Sequence, residues 1–439
     1  MIDIRKQYHD KVCSPEEAVR KYVNGENLIL SMGVSQPYEL MKALACRVRA
    51  GELDDVPVYY MHGNSAARET LFQADLMDRV HLHSMFKSSY ERSLSAEGRA
   101  QGKTFVDFIP CVFNQAGRFL VDEIGADYFF VTVSPMDSSG YFSLGTSPDY
   151  GATVIRHAKH VIVEENPNMP RTFGECCVHI SDIHAIVRGN RPLMEHAHHH
   201  PKEEDYKIGK QIVEHINDGD TIQMGVGGVP AVVCECLGNH KDLGLHSELF
   251  SPAMVELIRK GVLTGKKKTF LPYKHIFTLA LGDRDMFDFM DDNPAIAGYP
   301  VSFTNDPAII AQNHNLKSVN SAIEVDLTGQ VNSEFVNRDV YSGTGGQLDF
   351  VRGAYLSPGG KSFIALKSTA KNGTISTIVP RLTGPATDPR TDVHHIVTEH
   401  GLVNLKGKSL KQRAELLISI ADPKFQEELV ISAKESGIL

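Results

Sequence analysis

The sequence predicts an α/β protein: two related open α/β domains with mostly parallel sheets. Three observations carry that expectation. Helical segments alternate with short apolar ones along the chain, the ordering of parallel sheets covered on both faces. An apolar run followed by Met-Gly-Val and a loop closing on proline occurs twice, as NGENLILSMGVSQP at 24–37 and NDGDTIQMGVGGVP at 217–230. The second triplet begins at Met224, 192 residues after Met32, a spacing too long for a solenoid repeat and suited to two halves that each open with strand, glycine loop and helix. Finally, 439 residues with 42% hydrophobic and 23% charged side chains are ordinary globular usage, which excludes disorder, collagen-like repeats and a coiled coil.

The elements follow in order. Ser14 caps a helix over Pro15–Val23, with proline at its first position and Glu17 placed for a capping box. Further helical periodicity covers Tyr38–Ala50, Glu203–Ile216, Ala231–Leu237, Ala253–Val262, Leu410–Ala421 and Lys424–Glu435. Strands are expected at Asn27–Met32, Val56–Met61, Tyr128–Val133, His160–Glu165, Ala185–Val187, Thr221–Met224 and Phe363–Leu366, each an apolar, β-branched or aromatic run. Periodicity lapses in the polar segment around Arg191–Glu204, so the expected domains are 1–195 and 203–439. The cluster His196, His198, His199 and His200 lies there and reads as a solvated linker, because no carboxylate or cysteine spacing supports a closed metal site.

Charge and cysteine usage narrow the function classes. With 45 Lys+Arg against 54 Asp+Glu, the net charge of −9 argues against nonspecific nucleic-acid binding. No run approaches the roughly 18 apolar residues of a membrane span, and the polar, acidic start is unlike a signal peptide, so a soluble cytoplasmic protein is expected. Seven cysteines without a CxxC pair suit neither zinc nor a redox dithiol and fit buried thiols in a reducing compartment. A small-molecule enzyme is the default reading.

Three motifs could carry chemistry. Gln223-Met224-Gly225-Val226-Gly227-Gly228-Val229-Pro230 joins a strand to a helix, where glycines let backbone amides approach a phosphate or oxyanion. It is neither a dinucleotide fingerprint nor a P-loop, and a ligand-free turn explains it equally well. Asp242–Ser251 reads as a strand with Leu245, Ser247 and Leu249 on one face and His246, Glu248 and Phe250 on the other, leading to a helix with Pro252 at its first position. Glu248 then sits near the carboxyl end of a strand, where open α/β sheets bind ligands; alone, it reads more simply as a surface carboxylate. Gly343–Ala354, with Ser357-Pro358-Gly359-Gly360-Lys361, is dense enough in glycine to line a cleft with backbone, and Lys367 and Lys371 supply cations that singly read as solvated lysines.

Together these residues resemble the acetyl-CoA hydrolase/transferase family, most of all its 4-hydroxybutyrate and butyryl-CoA:acetate CoA-transferases. Supporting stretches are Val133-Ser134-Pro135-Met136-Asp137, Gly140–Ser143 and Asn166-Pro167-Asn168-Met169-Pro170-Arg171-Thr172, so the likeness spans the chain. The resemblance implies a two-domain class I CoA-transferase with the active site between the halves. By position it makes Glu248 the catalytic glutamate that becomes a glutamyl-CoA thioester, Gln223, Met224, Gly225, Val226 and Gly227 the CoA loop, and Gly346 and Lys371 further CoA contacts. CoA would be a substrate rather than a resident cofactor, the partners an acyl-CoA and a short carboxylic acid, and the assembly a homodimer or larger homo-oligomer, with no metal, nucleic acid or membrane. An acyl-CoA hydrolase, or a nucleotide-binding protein without covalent chemistry, are the competing readings. Gln36, His62 and Asn114 lie in loops that could face the acyl pocket, and each reads individually as structural.

Overall fold

The computed structural model describes residues 4–196, 201–337 and 339–439. The fold is α/β with mostly parallel sheets, in two compact units: Met1–Ala197 with Ile276–Phe303, and His198–His275 with Thr304–Leu439.

The first unit holds seven parallel strands: β1 (Leu28–Leu30), β2 (Val56–Tyr60), β3 (Val80–Ser84), β4 (Val106–Phe108), β5 (Tyr128–Val133), β6 (His160–Glu165) and β7 (Ala185–Arg188). Their spatial order is β7-β6-β5-β1-β2-β3-β4. The chain runs outward from β1 to β4, then returns to β1's other side, so the strand order reverses between β1 and β5. Every residue of β5 is buried, which explains its unbroken apolar run. Helix Pro15–Tyr22 carries the expected capping box: Ser14 Oγ accepts the Glu17 N–H at 3.1 Å, and the Ser14 N–H reaches Glu17 Oε2 at 2.9 Å. Its buried Ala18 and Val19 join Leu40, Leu44 and Val48 of helix Tyr38–Arg49 in one core with β1 and β2.

The second unit holds β8 (Thr221–Met224), β9 (Gly244–Leu245), β10 (Leu316–Ser321), β11 (Lys361–Ala365), β12 (His395–Thr398) and β13 (Gly401–Asn404), in the order β9-β8-β10-β11-β12-β13. All neighbours are parallel except the final hairpin. Strand order again reverses beside the first strand, between β8 and β10. Both Met-Gly-Val triplets therefore begin at or just beyond the end of a strand flanking a reversal, the point where open α/β sheets form a crevice.

Several expectations need correction. Residues 276–303 pack with the first unit rather than within a continuous 203–439 domain. Ile296–Gly298 pairs with Phe173–Gly174, the Ala280 N–H reaches Thr146 O at 2.7 Å, and the Val301 N–H reaches Asp149 O at 3.0 Å. Pairings this short leave no periodic signal. The segment expected as one strand across Asp242–Ser251 breaks at Ser247–Glu248: β9 ends at Leu245, and Leu249–Phe250 forms a separate short strand. The glycine-dense segment is not all loop, since Gln347–Leu356 is a helix burying Phe350, Val351 and Ala354. Helix Gly228–Cys236 starts three residues earlier than expected. All seven cysteines are free, but Cys46 and Cys177 are exposed rather than buried. Of the histidine cluster only His196 lies within the described residues, its N–H bonded to Gly282 O at 2.9 Å. Among the described residues, no helix is long and apolar enough to cross a membrane, and no group of three or more His, Cys, Asp or Glu is placed to hold a metal ion.

Candidate active site

Glu248 occupies the break in the ladder. The backbone follows β8 as far as the His246 N–H, which reaches Ile222 O at 3.2 Å, and then turns away. Ser247 anchors the turn: its Oγ lies 3.4 Å from both the N–H and the carbonyl of Met224, at the start of the glycine loop. Pairing of β9 with β8 and the Ser247 anchor thus bring the start of the glycine loop beside the residue before Glu248.

The carboxylate is held by two donors from distant parts of the chain. Asn305 Nδ2 donates to Glu248 Oε2 at 2.6 Å, and the Gly346 N–H donates to the same carboxylate. Glu248 keeps partial solvent access, yet burial of its carboxyl dominates, raising the pKa from 4.5 to about 7 against the downward pull of Asn305 and Gly346. Gly346 must be glycine for a steric reason: a Cβ there would overlap Glu248 Oε2 and Asn305 Nδ2. Asn305 is fully buried and also approaches Asp349 Oδ2 at 3.5 Å.

Further contacts hold these donors in place. His246 Nδ1 accepts from Asn313 Nδ2 at 3.2 Å, which leaves its Nε2–H to donate to Thr304 O at 2.8 Å, one residue before Asn305. Burial, with Lys268 nearby, pushes the His246 pKa down to about 3, so the ring is neutral and that tautomer persists. Lys268 donates to Leu245 O at 2.9 Å and Lys274 O at 2.7 Å, tying the end of β9 to the segment that follows. On the other side, Gln347 Nε2 binds Ser333 Oγ at 2.9 Å and Asp388 Oδ2 at 2.6 Å, fixing the residue after Gly346.

The expected CoA loop divides in two. Gln223 and Met224 are buried in β8. Gln223 bonds to Asn320 Oδ1 at 3.1 Å and accepts from Ser318 Oγ at 2.6 Å, so its polar atoms are engaged by the neighbouring strand. Gly225 donates to Val319 O at 2.8 Å, with Val319 and Asn320 close enough to crowd any side chain. Val226 is 59% exposed, and Gly227, with φ +128°, caps helix Gly228–Cys236. The open part of the loop therefore starts at Val226. Lys371 is in the exposed turn joining Thr369–Ala370 to Ile375–Ser376, with φ +48°. Lys367 is held by Asp205 at 3.2 Å and Glu204 at 3.6 Å. Sequence reasoning missed Asn305, Asp349 and the tie made by His246. Thr304-Asn305-Asp306-Pro307 looks only like the cap of a short helix, which Asp306 does provide by accepting the Ala308 N–H.

A carboxylate with raised pKa, held by two converging N–H donors beside a glycine loop in a twofold α/β architecture, is the equipment of an enzyme that handles acyl groups or anions. Comparison with known proteins specifies the class. Models of the acetyl-CoA hydrolase/transferase N-terminal and C-terminal domains match residues 1–195 and 282–433. Succinyl-CoA:cyclohexane-1-carboxylate CoA transferase of Geobacter metallireducens is 40% identical over 98% of this chain and 96% of its own. The 4-hydroxybutyrate coenzyme A transferase of Clostridium kluyveri is 37% identical over 98% of each chain. The crystal structure of RipA from Yersinia pestis superposes with a TM-score of 0.95 at 44% identity, covering both chains completely. The chain belongs to the acetyl-CoA hydrolase/transferase family, and its enzyme class is that of the CoA-transferases.

Proposed function

We propose that the protein moves CoA between a short-chain acyl-CoA and a free carboxylic acid, with 4-hydroxybutyrate the favoured acid, through a covalent thioester on Glu248. The observation that carries this reading is the convergence of Asn305 Nδ2 and the Gly346 N–H on the Glu248 carboxylate. Ionised Glu248 attacks the thioester carbonyl, expelling CoA thiolate and forming a mixed anhydride. The thiolate then attacks the glutamyl carbonyl, releasing the first acid and leaving Glu248 as a thioester. A second acid reverses both steps and leaves with CoA, so turnover is ping-pong and no thioester is lost to water.

During thiolate attack, negative charge builds on the glutamyl oxygen that Asn305 and Gly346 already address. Donors preorganised in this way are worth roughly 3–4 kcal/mol each. The amides beyond Val226, at the N-terminus of helix Gly228–Cys236, are suited to a phosphate of CoA, with Lys371 as a supplementary cation. A net-acidic chain can hold polyanionic CoA in this way, through local amides and few charges.

The test is to incubate the protein with butyryl-CoA alone, reduce with borohydride and analyse the peptide containing Glu248 by mass spectrometry. CoA-dependent modification at Glu248, with loss of transfer in Glu248→Ala, is expected. Transfer that persists in Glu248→Ala without any adduct overturns the mechanism. Offering 4-hydroxybutyrate, butyrate, acetate, propionate and water as acceptors then separates transferase from hydrolase and ranks the acids.

A further inference from the structure

Cys176 and Cys177, adjacent in the first unit, are thiols that the proposed CoA transfer does not use. They lie where the chain passes from Phe173–Gly174 into the short strand Cys177–His179, which pairs antiparallel with Tyr141–Ser143. Successive residues within a strand point to opposite faces. Cys176 stands just outside this strand, and its side chain converges with its neighbour's. The Cys176 and Cys177 sulfurs lie 3.3 and 3.9 Å from the same oxygen, Thr172 O.

The surroundings of the two thiols differ. Cys176 is fully buried, with its sulfur also 3.3 Å from Phe173 O, 3.5 Å from Thr172 Oγ1 and 3.8 Å from Ser143 Oγ. Cys177 is exposed. The two sulfurs are in hydrogen-bond contact with each other. With Cys176 as donor, that contact favours the Cys177 thiolate and lowers its pKa from 9.0 to about 7; burial and Asp137 oppose the shift, and Arg171 supports it. The same contact, together with burial, raises the pKa of Cys176, which therefore keeps its proton. An accessible nucleophilic sulfur thus has a second thiol in contact with it, shielded from solvent.

We infer that Cys176 and Cys177 form an oxidation site, at which Cys177 reduces a hydroperoxide and Cys176 then closes a disulfide with it. In the first step the Cys177 thiolate attacks the terminal oxygen of the hydroperoxide. An S–O bond forms, the O–O bond breaks, and the departing alkoxide takes a proton from water. Cys177 is oxidised to a sulfenic acid and the hydroperoxide is reduced to an alcohol, or to water if it is hydrogen peroxide. In the second step the Cys176 sulfur attacks the Cys177 sulfur. The S–S bond forms, the S–O bond breaks, and hydroxide leaves as water with the Cys176 proton. Neither step uses Glu248 or CoA. Contact between the sulfurs lets Cys176 intercept the sulfenic acid before a second hydroperoxide carries it to the irreversible sulfinic acid.

The test uses the full chain, reduced and then freed of reductant. It is treated with one equivalent of hydrogen peroxide at pH 7, quenched with iodoacetamide, digested without reductant and analysed by mass spectrometry. The peptide containing both cysteines should lose two hydrogens and resist alkylation until dithiothreitol is added. Its oxidation should run about tenfold faster than that of Cys46, an exposed thiol on helix Tyr38–Arg49, because half of Cys177 is thiolate at this pH. Cys176→Ser keeps a donor for Thr172 O and Phe173 O but closes no disulfide, so dimedone should trap a sulfenic acid on its Cys177. Cys177→Ser should leave Cys176 reduced under the same treatment. The inference is overturned if Cys177 is oxidised no faster than Cys46. It is equally overturned if wild-type Cys177 carries sulfenic or sulfinic acid while Cys176 is still alkylated, a measurement that decides the matter even where a variant does not fold.

Discussion

Glu248 is a base kept near its titration point. Since burial raises its pKa from 4.5 to about 7, the folded protein holds a proton there that the unfolded chain has released between those values. Stability contributed by this group is therefore present below about pH 4.5 and is lost as pH rises towards 7. Glu248→Gln removes the titration, so relative to wild type it should gain on the order of 1–3 kcal/mol between pH 5 and pH 8, read from denaturant midpoints at both values. The rate of thioester formation should move the opposite way, rising through about pH 7 as the nucleophile ionises; a rate independent of pH between 5.5 and 8.5 would contradict it. The two donors can be tested singly. Asn305→Ala should lower kcat by about 10²–10³-fold with a smaller change in KM for acyl-CoA. Gly346→Ala should do at least as much damage, because its methyl collides with both the glutamate and Asn305.

At the level of elements, the site depends on how helix Gln347–Leu356 and the break after β9 are pinned. Gln347 ties the helix start to Ser333 and Asp388, and burial raises the Asp388 pKa to about 7. Gln347→Met strands that buried carboxyl, and the expected result is a loss of about 1–3 kcal/mol in urea unfolding together with a several-fold lower kcat. These elements were unequally legible in the sequence. The capped helix Pro15–Tyr22 and the apolar strands β5 and β8 were readable because local pattern and tertiary role agree. Strand β10 was not: its sequence, LKSVNS, is polar although its first five residues are buried. Lys317 pairs with Asp220 at 3.1 Å, while Ser318 and Asn320 bond to Gln223. A central strand beside the reversal of strand order carries polar side chains satisfied across the sheet, and hydropathy cannot register partners 95 residues away. Helix Gln347–Leu356 was hidden by flanking glycines, one of which is needed for room beside Glu248 rather than for a turn.

For the whole molecule, the excursion of Ile276–Phe303 into the first unit has a practical consequence. A fragment spanning 203–439 carries this segment without Thr146, Asp149 and Phe173–Gly174, the groups it bonds to. Such a fragment should lack a cooperative thermal transition by circular dichroism, and one matching the full chain's would refute this. The sequence by itself determined the α/β class and suggested the twofold plan marked by Met32 and Met224, because each is written in contiguous residues as a period or a repeat, whereas Glu248 was singled out only through the family resemblance of the motifs around it. Only the tertiary structure decided that the strand leaves its ladder at Glu248, that Asn305 and Gly346 meet on its carboxylate, and that Gln223 faces its neighbouring strand. Those outcomes depend on hydrogen bonds and close approaches between residues tens to a hundred positions apart, and sequence spacing carries no record of which distant groups the packing of the sheets brings within 3 Å.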